Sequence, residues 1–270
     1  MNTAATLPDT EKAAASSPSR GGGVPIDLQD VWKAFDTGVR ALDVVNLKIA
    51  GGEFVSIVGP SGCGKSTLLR IVAGLLAPSG GACVRATNAK AAFVFQDAAL
   101  LPWRSVLRNA ELLMELEGYA APDRRQRAEK AMQLVGLSGF AAAYPHQLSG
   151  GMRMRLSLAR AMALQPDLLL LDEPLAAVDE LTRDTLQEEL QQLWRKLNFT
   201  ALLVTHNVHE AVYLSTRIAV MSPRPGRIEK VIDVPFAFPR APDLRSTAEF
   251  AALTGEVSAI LRHHAGGGQA

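Results

Sequence analysis

The sequence predicts an α/β fold with a largely parallel sheet, and three observations lead there. Glu53–Val58 is a β-rich run that stops at Gly59, and a glycine-rich turn then opens the helix-periodic stretch Thr67–Leu76. Leu168–Leu171 is wholly apolar at strand length and ends in two carboxylates, Asp172 and Glu173. Between and beyond these runs, strand-length and helix-length segments alternate, as they do where parallel strands are joined by helical crossovers.

The elements follow in order. Residues 1–23 are rich in Ala, Ser, Thr and Pro and end in three glycines, which reads as a disordered leader. Ile26–Val31 and Leu42–Ile49 cluster apolar residues at strand length, and Gly51-Gly52 turns the chain into the strand at 53–58. The helix after it is expected to stop before Pro78 and Gly80. Ala91–Phe95 reads as a further short strand, and Ser105–Gly136 turns helical, with Leu107, Leu112, Leu113 and Leu116 on one side. Arg124, Arg125, Arg127 and Lys130 fall within that stretch as a solvated helix face. A loop over Ala141–Gly151 leads into a helix at Met152–Gln165, and Glu180–Leu197 is amphipathic. Ala201–Thr205 is a buried strand ending at His206. Ile218–Met221 and Ile228–Val234 form a closing strand pair around Pro223–Gly226, and Glu249–Leu261 has helical texture.

Composition narrows the function. The length of 270 residues suits roughly one to two domains, and a 48% apolar content is enough for a full core. Lys plus Arg number 28 against 27 Asp plus Glu, so the basic excess that drives phosphate-backbone binding is missing and no nucleic-acid partner is expected. Two cysteines, Cys63 and Cys83, lack metal-ligand spacing and read as reduced thiols of a cytosolic compartment. Residues 1–20 carry Asp9 and Glu11 without a continuous apolar segment, so they do not read as a signal peptide. No run approaches the ~20 apolar residues that span a bilayer, so a soluble chain is expected, with any membrane link supplied by a partner.

Gly59-Pro60-Ser61-Gly62-Cys63-Gly64-Lys65-Ser66-Thr67 matches G-x-x-x-x-G-K-[ST], a phosphate-binding loop between strand and helix. Its glycines let backbone N–H groups wrap phosphate oxygens, and the helix N-terminus adds partial positive charge. Lys65 would bridge the β- and γ-phosphates and the Ser66 hydroxyl would ligate Mg²⁺. Cys63 takes a variable position of the loop as a tolerated small residue. Asp172 is placed to hold Mg²⁺ through water, and Glu173 to polarise the attacking water.

With these parts in place the chain resembles the ATP-binding subunits of ABC transporters over roughly 26–234. Leu148-Ser149-Gly150-Gly151-Met152 resembles that family's LSGGQ signature and begins its Ser 23 residues before Asp172. The resemblance implies a P-loop NTPase of the ABC ATPase type, with a RecA-like core, a small antiparallel β region and an inserted helical subdomain at about 98–165. The ATPase domain would span 24–240 and a C-terminal extension 241–270. It implies ATP and Mg²⁺ as ligands and a head-to-tail homodimer in which Ser149, Gly150 and Gly151 meet ATP held by the other copy. Gln96 resembles the glutamine that senses Mg²⁺ and the γ-phosphate. Asp179 resembles the aspartate of the loop after the second carboxylate motif, and His206 the switch histidine that contacts the γ-phosphate. Phe35 falls where the family stacks an aromatic on adenine, although Trp32 and Phe35 also suit a core. The short segment from Pro78 to Gln96 implies a trimmed antiparallel region.

Two strings refine the resemblance. Residues 96–103, ending Leu100-Leu101-Pro102-Trp103, and Met221–Ile228 resemble the nitrate, sulfonate and taurine importer ATPases. That implies a peripheral subunit on the cytoplasmic face of the inner membrane, beneath transmembrane permease subunits and served indirectly by an extracytoplasmic solute-binding protein. The surface around Trp103 would receive a short permease helix. The alternative is a soluble ABC-type ATPase of assembly or repair that works without a permease. Intact Lys65, Glu173 and His206 speak against a subunit that binds ATP without hydrolysing it.

Overall fold

Alternation along each central strand decides the architecture, because successive side chains point to opposite faces and both faces here are apolar. The computed structural model describes residues 22–176 and 178–266, and the expected leader falls almost wholly outside them. Six strands form one sheet in the order β5 (Ala91–Val94), β6 (Leu168–Asp172), β7 (Thr200–Thr205), β3 (Phe54–Val58), β8 (Arg217–Met221) and β9 (Ile228–Asp233). The first five run parallel and β9 pairs antiparallel with β8. Phe54, Val58, Leu169, Leu171, Ala201 and Leu203 face one apolar cluster, while Val55, Ile57, Leu168, Leu170, Leu202 and Val204 face another.

The second cluster is covered by α1 (Lys65–Ala73) and by a separate antiparallel sheet of β2 (Arg40–Ile49), β1 (Ile26–Ala34) and β4 (Gly80–Arg85). β4 was not expected. None of its residues is fully buried, and its place is fixed by pairing with β1. The helix α1 ends earlier than its apolar pattern suggests, because Gly74 adopts φ 77° and its N–H closes the last turn on Arg70 and Ile71.

The first cluster carries the helices. The expected single helical stretch after Ser105 is two, α2 (Val106–Leu116) and α3 (Ala121–Leu134), divided at Gly118 with φ 76°. Arg124 on α3 departs from the solvated-face expectation, since it turns inward, 3.8 Å from the carboxylate of buried Glu111. Next come α4 (Gly150–Ala163), α5 (Glu180–Leu197), an unexpected short α6 (Val208–Leu214) and α7 (Ala248–Gly266). The chain after β9 folds back along this face. Phe250 and Val257 of α7 are fully buried. Buried Arg240 donates from Nη1 to the Val212 and Tyr213 carbonyls at 2.7 and 2.9 Å, satisfying groups that the end of α6 leaves open.

Candidate functional site

Parallel register brings the chemistry to one edge. Val58 pairs with Thr205 and Asp172 with Val204, so the segments after β3, β6 and β7 leave the sheet side by side. The loop after β3 turns into α1 at Gly64, whose φ is 109°. A Cβ there would stand 2.7 Å from the Ala41 carbonyl oxygen, so glycine is required on both backbone and contact grounds. Lys65 begins the helix and is buried, and its Nζ donates back to the Gly59 and Pro60 carbonyls, each at 2.9 Å. The ammonium is thus held over its own loop, where an anion cradled by the loop would meet it.

Ser66 Oγ donates to Asp172 Oδ1 at 2.8 Å across 106 residues of sequence. Burial pushes the Asp172 carboxyl above its ordinary range, and the Ser66 hydrogen bond opposes that push. Glu173 leaves β6 in the left-handed region at φ 47°, an unfavourable conformation for a glutamate, fixed by its N–H donating to the Val204 carbonyl at 2.8 Å. This turn brings Glu173 Oε2 to 3.0 Å from Nδ1 of His206. The His206 side chain is 63% exposed and that of Glu173 20%, so the pair lies at a surface a ligand can reach. A carboxylate so held can orient and deprotonate a water.

A cavity of about 500 Å³ lies over this edge. Of the expected residues, Phe35, Ser61, Gly62, Gly64, Lys65, Ser66 and Thr67 line it, joined by Gln96 and Glu173. Phe35 is 40% exposed at the cavity wall, so the core alternative for it falls. Trp32 instead sits against Gly80 and under Arg40. Cys63 departs from the expectation of a merely tolerated loop residue. Its side chain turns away from the cavity into the second cluster, and burial raises its thiol pKa. Thr37, Val39, Ala41 and Arg224 also line the cavity, and sequence reasoning missed them. Arg224 stood within the quoted Met221–Ile228 string, but nothing local showed where it points.

Ser149, Gly150, Gly151 and Asp179 do not line the cavity of their own chain. Ser149 caps α4, accepting from the Met152 N–H at 3.3 Å, and is exposed together with Gly150. Asp179 caps α5, and the N–H of Thr182 donating to it holds its carboxyl below the usual range. One contact ties α4 to the cavity. Buried Arg160 donates to the Ala98 and Ala99 carbonyls, each at 2.9 Å, just after Gln96.

Ser66, Asp172 and Gln96 offer a hydroxyl, a carboxylate and an amide oxygen. These hard donors fit Mg²⁺, which takes few protein ligands and completes its shell with phosphate oxygens and water. Among the described residues no group of three or more His, Cys, Asp or Glu forms a metal cluster.

Comparison with known proteins matches residues 42–176 to the ABC transporter family model. A taurine import ATP-binding protein of Rhizobium johnstonii is 44% identical over 234 residues, covering 83% of this chain and 89% of that protein. An aliphatic sulfonates import ATP-binding protein of Cupriavidus necator is 45% identical over 258 residues, covering 92% of this chain and 81% of that protein. Among solved structures, a dimeric ATP-binding cassette in a post-hydrolysis state bound to ADP and Pi superposes with a TM-score of 0.71. It is 32% identical and covers 78% of this chain and all of that one.

Proposed function

The chain belongs to the ABC transporter family and is one of its ATPases, and on that premise we propose that it powers uptake of a small anion, a sulfonate, taurine or nitrate. It works as a homodimer beneath two transmembrane permease subunits on the cytoplasmic face of the inner membrane, with solute delivered by an extracytoplasmic binding protein. The observation that carries the dimer is the division of the site. Lys65, Ser66 and Glu173 line the cavity, while Ser149–Gly151 is presented elsewhere on the surface, free to meet a second copy's cavity. The names of the taurine and sulfonate import relatives support the solute class. Among the described residues no helix is long and apolar enough to cross a membrane, and in this reading the permease subunits make the membrane contact.

In this reading Phe35 stacks on adenine and the loop Gly59–Thr67 cradles the phosphates, with Lys65 on the β- and γ-oxygens. Ser66, Gln96 and Asp172 hold Mg²⁺, which supplies charge neutralisation on the phosphates. Glu173 takes a proton from water as its oxygen attacks the γ-phosphorus. The bond to the bridging oxygen breaks, and ADP and phosphate result. His206, fixed against Glu173, reaches the γ-phosphate from the β7 side. Asp179 lies where the two copies would meet.

The test is isolation of the tagged chain from its native membrane, followed by uptake assays in vesicles. The reading expects two permease subunits in the isolate and ATP-dependent uptake of taurine, a sulfonate or nitrate. An ATPase that co-isolates with no membrane protein overturns it in favour of a soluble ABC-type ATPase.

A further inference from the structure

We propose that Arg224 is a second phosphate-binding cation of the nucleotide cavity, reaching across from the β8–β9 turn to contact the phosphate chain beside Lys65. This rests on the nucleotide reading of the cavity given above.

Arg224 is far from the phosphate loop in sequence but lies against it in space. Its Nε donates to the Gly62 carbonyl at 2.9 Å, and its Nη2 stands 3.0 Å from where a Cβ on Gly62 would be. The guanidinium therefore lies along the middle of the loop. Among the described residues no protein acceptor takes its two terminal nitrogens, and the residue is exposed and lines the cavity. A planar fork with free N–H donors matches phosphate oxygens better than any other side chain does. The cavity lining holds one other cation, Lys65, and one anion, Glu173. Lys65 is already bonded to two loop carbonyls, so a polyphosphate entering the cavity meets Arg224 as its uncommitted donor.

The turn that carries Arg224 is built to hold it in place. Ser222 Oγ accepts from the Arg227 N–H at 3.1 Å and donates to the Pro223 carbonyl at 2.9 Å. Gly226 donates its N–H to the Ala41 carbonyl at 3.0 Å, and its own carbonyl accepts from the Asp43 N–H at 2.9 Å. A Cβ on Gly226 would fall 2.1 Å from the Cys63 carbonyl oxygen, so the turn lies in backbone contact with the phosphate loop. A guanidinium placed this rigidly loses little freedom when it binds. The charge is felt at the loop, where Lys65 and Arg224 both pull the Cys63 thiol pKa down against the effect of burial.

The test measures ATP and adenosine affinity for the full-length chain and for Arg224→Ala, Arg224→Gln and Arg224→Lys, at low and high salt. A charged contact predicts about a tenfold or greater rise in the ATP dissociation constant for the Ala and Gln variants. It also predicts unchanged adenosine binding, and for the Lys variant, which keeps the charge but not the fork, an ATP affinity between those of the parent and the Gln variant. The salt dependence of ATP binding should be shallower in Arg224→Gln, because one screened charge is gone. A purely mechanical role in fastening Gly62 would leave that dependence unchanged, and this result overturns the proposal. So do ATP affinities of the Ala and Gln variants equal to the parent's. If the unaltered chain binds ATP no better than adenosine, it is the nucleotide reading that fails. Unfolding temperatures without nucleotide identify any variant that fails to fold, and whichever of Arg224→Ala and Arg224→Gln does fold then carries the comparison of salt dependence, since Arg224→Lys keeps the charge.

Discussion

Nδ1 of His206 stands 3.0 Å from Oε2 of Glu173, although 33 residues separate them. The left-handed turn at Glu173 and the adjacent ends of β6 and β7 create that contact. If Glu173 is the base, Glu173→Gln keeps the shape and removes the proton acceptor. Turnover should then fall about 10²–10⁴-fold while ATP still binds. A dimer should accumulate only with ATP, since the nucleotide binds the associated state. Sedimentation with and without ATP checks this, and adding Ser149→Arg should abolish the dimer. Turnover near the parental rate would remove Glu173 from the role.

Lys65→Ala removes an ammonium held over the phosphate loop by two carbonyls. Its charge-assisted contacts with phosphate are each worth about 1.5–3 kcal/mol, so ATP binding should weaken at least tenfold and hydrolysis should be lost. Phosphate release at the parental rate would show that the loop does not hold the nucleotide.

Phe35→Ala should raise the ATP dissociation constant with little change in kcat or in unfolding temperature, since the ring is substantially exposed. Stacking of about 0.5–3 kcal/mol gives a shift from a few-fold to a hundredfold. Phe35→Tyr should bind as the parent does. Titration with a fluorescent nucleotide reads all three proteins.

Trp103 is 72% exposed, far beyond what a core tryptophan shows, and shares a surface hollow with Arg104, Arg108 and Tyr144. Trp103→Glu should leave the ATPase activity of the isolated chain within about twofold, as surface changes away from a site do. Solute uptake by the assembled transporter should fall sharply. Full uptake at normal expression would mean that no permease helix sits there.

Glu210 is fully buried and its carboxyl is pushed up to about 7, chiefly by burial. The hydroxyl of Thr205 donates to its Oε2, and Oε1 is buried without a partner. Arg183 and His206 favour its charge and Glu173 opposes it. A carboxyl whose folded-state pKa is raised stabilises the fold fully below its unfolded value and loses that contribution as pH rises through about 7. Glu210→Gln, which cannot ionise, should therefore gain on the parent between pH 5 and pH 8, by on the order of 3 kcal/mol. Thermal unfolding across that range decides it. A constant difference between the two proteins would show that Glu210 is ionised in the folded protein across the whole range and that burial does not raise its pKa.

Local pattern revealed most of what local forces determine. β6 was legible because four leucines in a row at strand length suit a doubly covered strand, and α5 because Glu180–Leu197 is amphipathic at helical length. The phosphate loop, Asp172 and Glu173 were legible because their spacing from strand ends is local. β4 was not, since Gly80–Arg85 has little apolar character and depends on β1 for its pairing. α6 spans seven residues, too few to stand without the packing around it, and so gave little periodicity to read. Arg224 and Arg160 were hidden for a different reason. Each acts on carbonyls some 60 or more residues away, and no window along the chain contains both ends of such a contact.

The turn at Ser222–Arg227 has the outward marks of a site for inserting an epitope or a dye. Pro223, Arg224 and Pro225 are exposed at the tip of an antiparallel pair. Gly226 makes it the wrong choice. Through that one residue the tip is locked to the start of β2 on one side and to the Cys63 carbonyl on the other. A graft there would pry the small sheet and the phosphate loop apart together, so a reporter meant to be silent would act as an inhibitor.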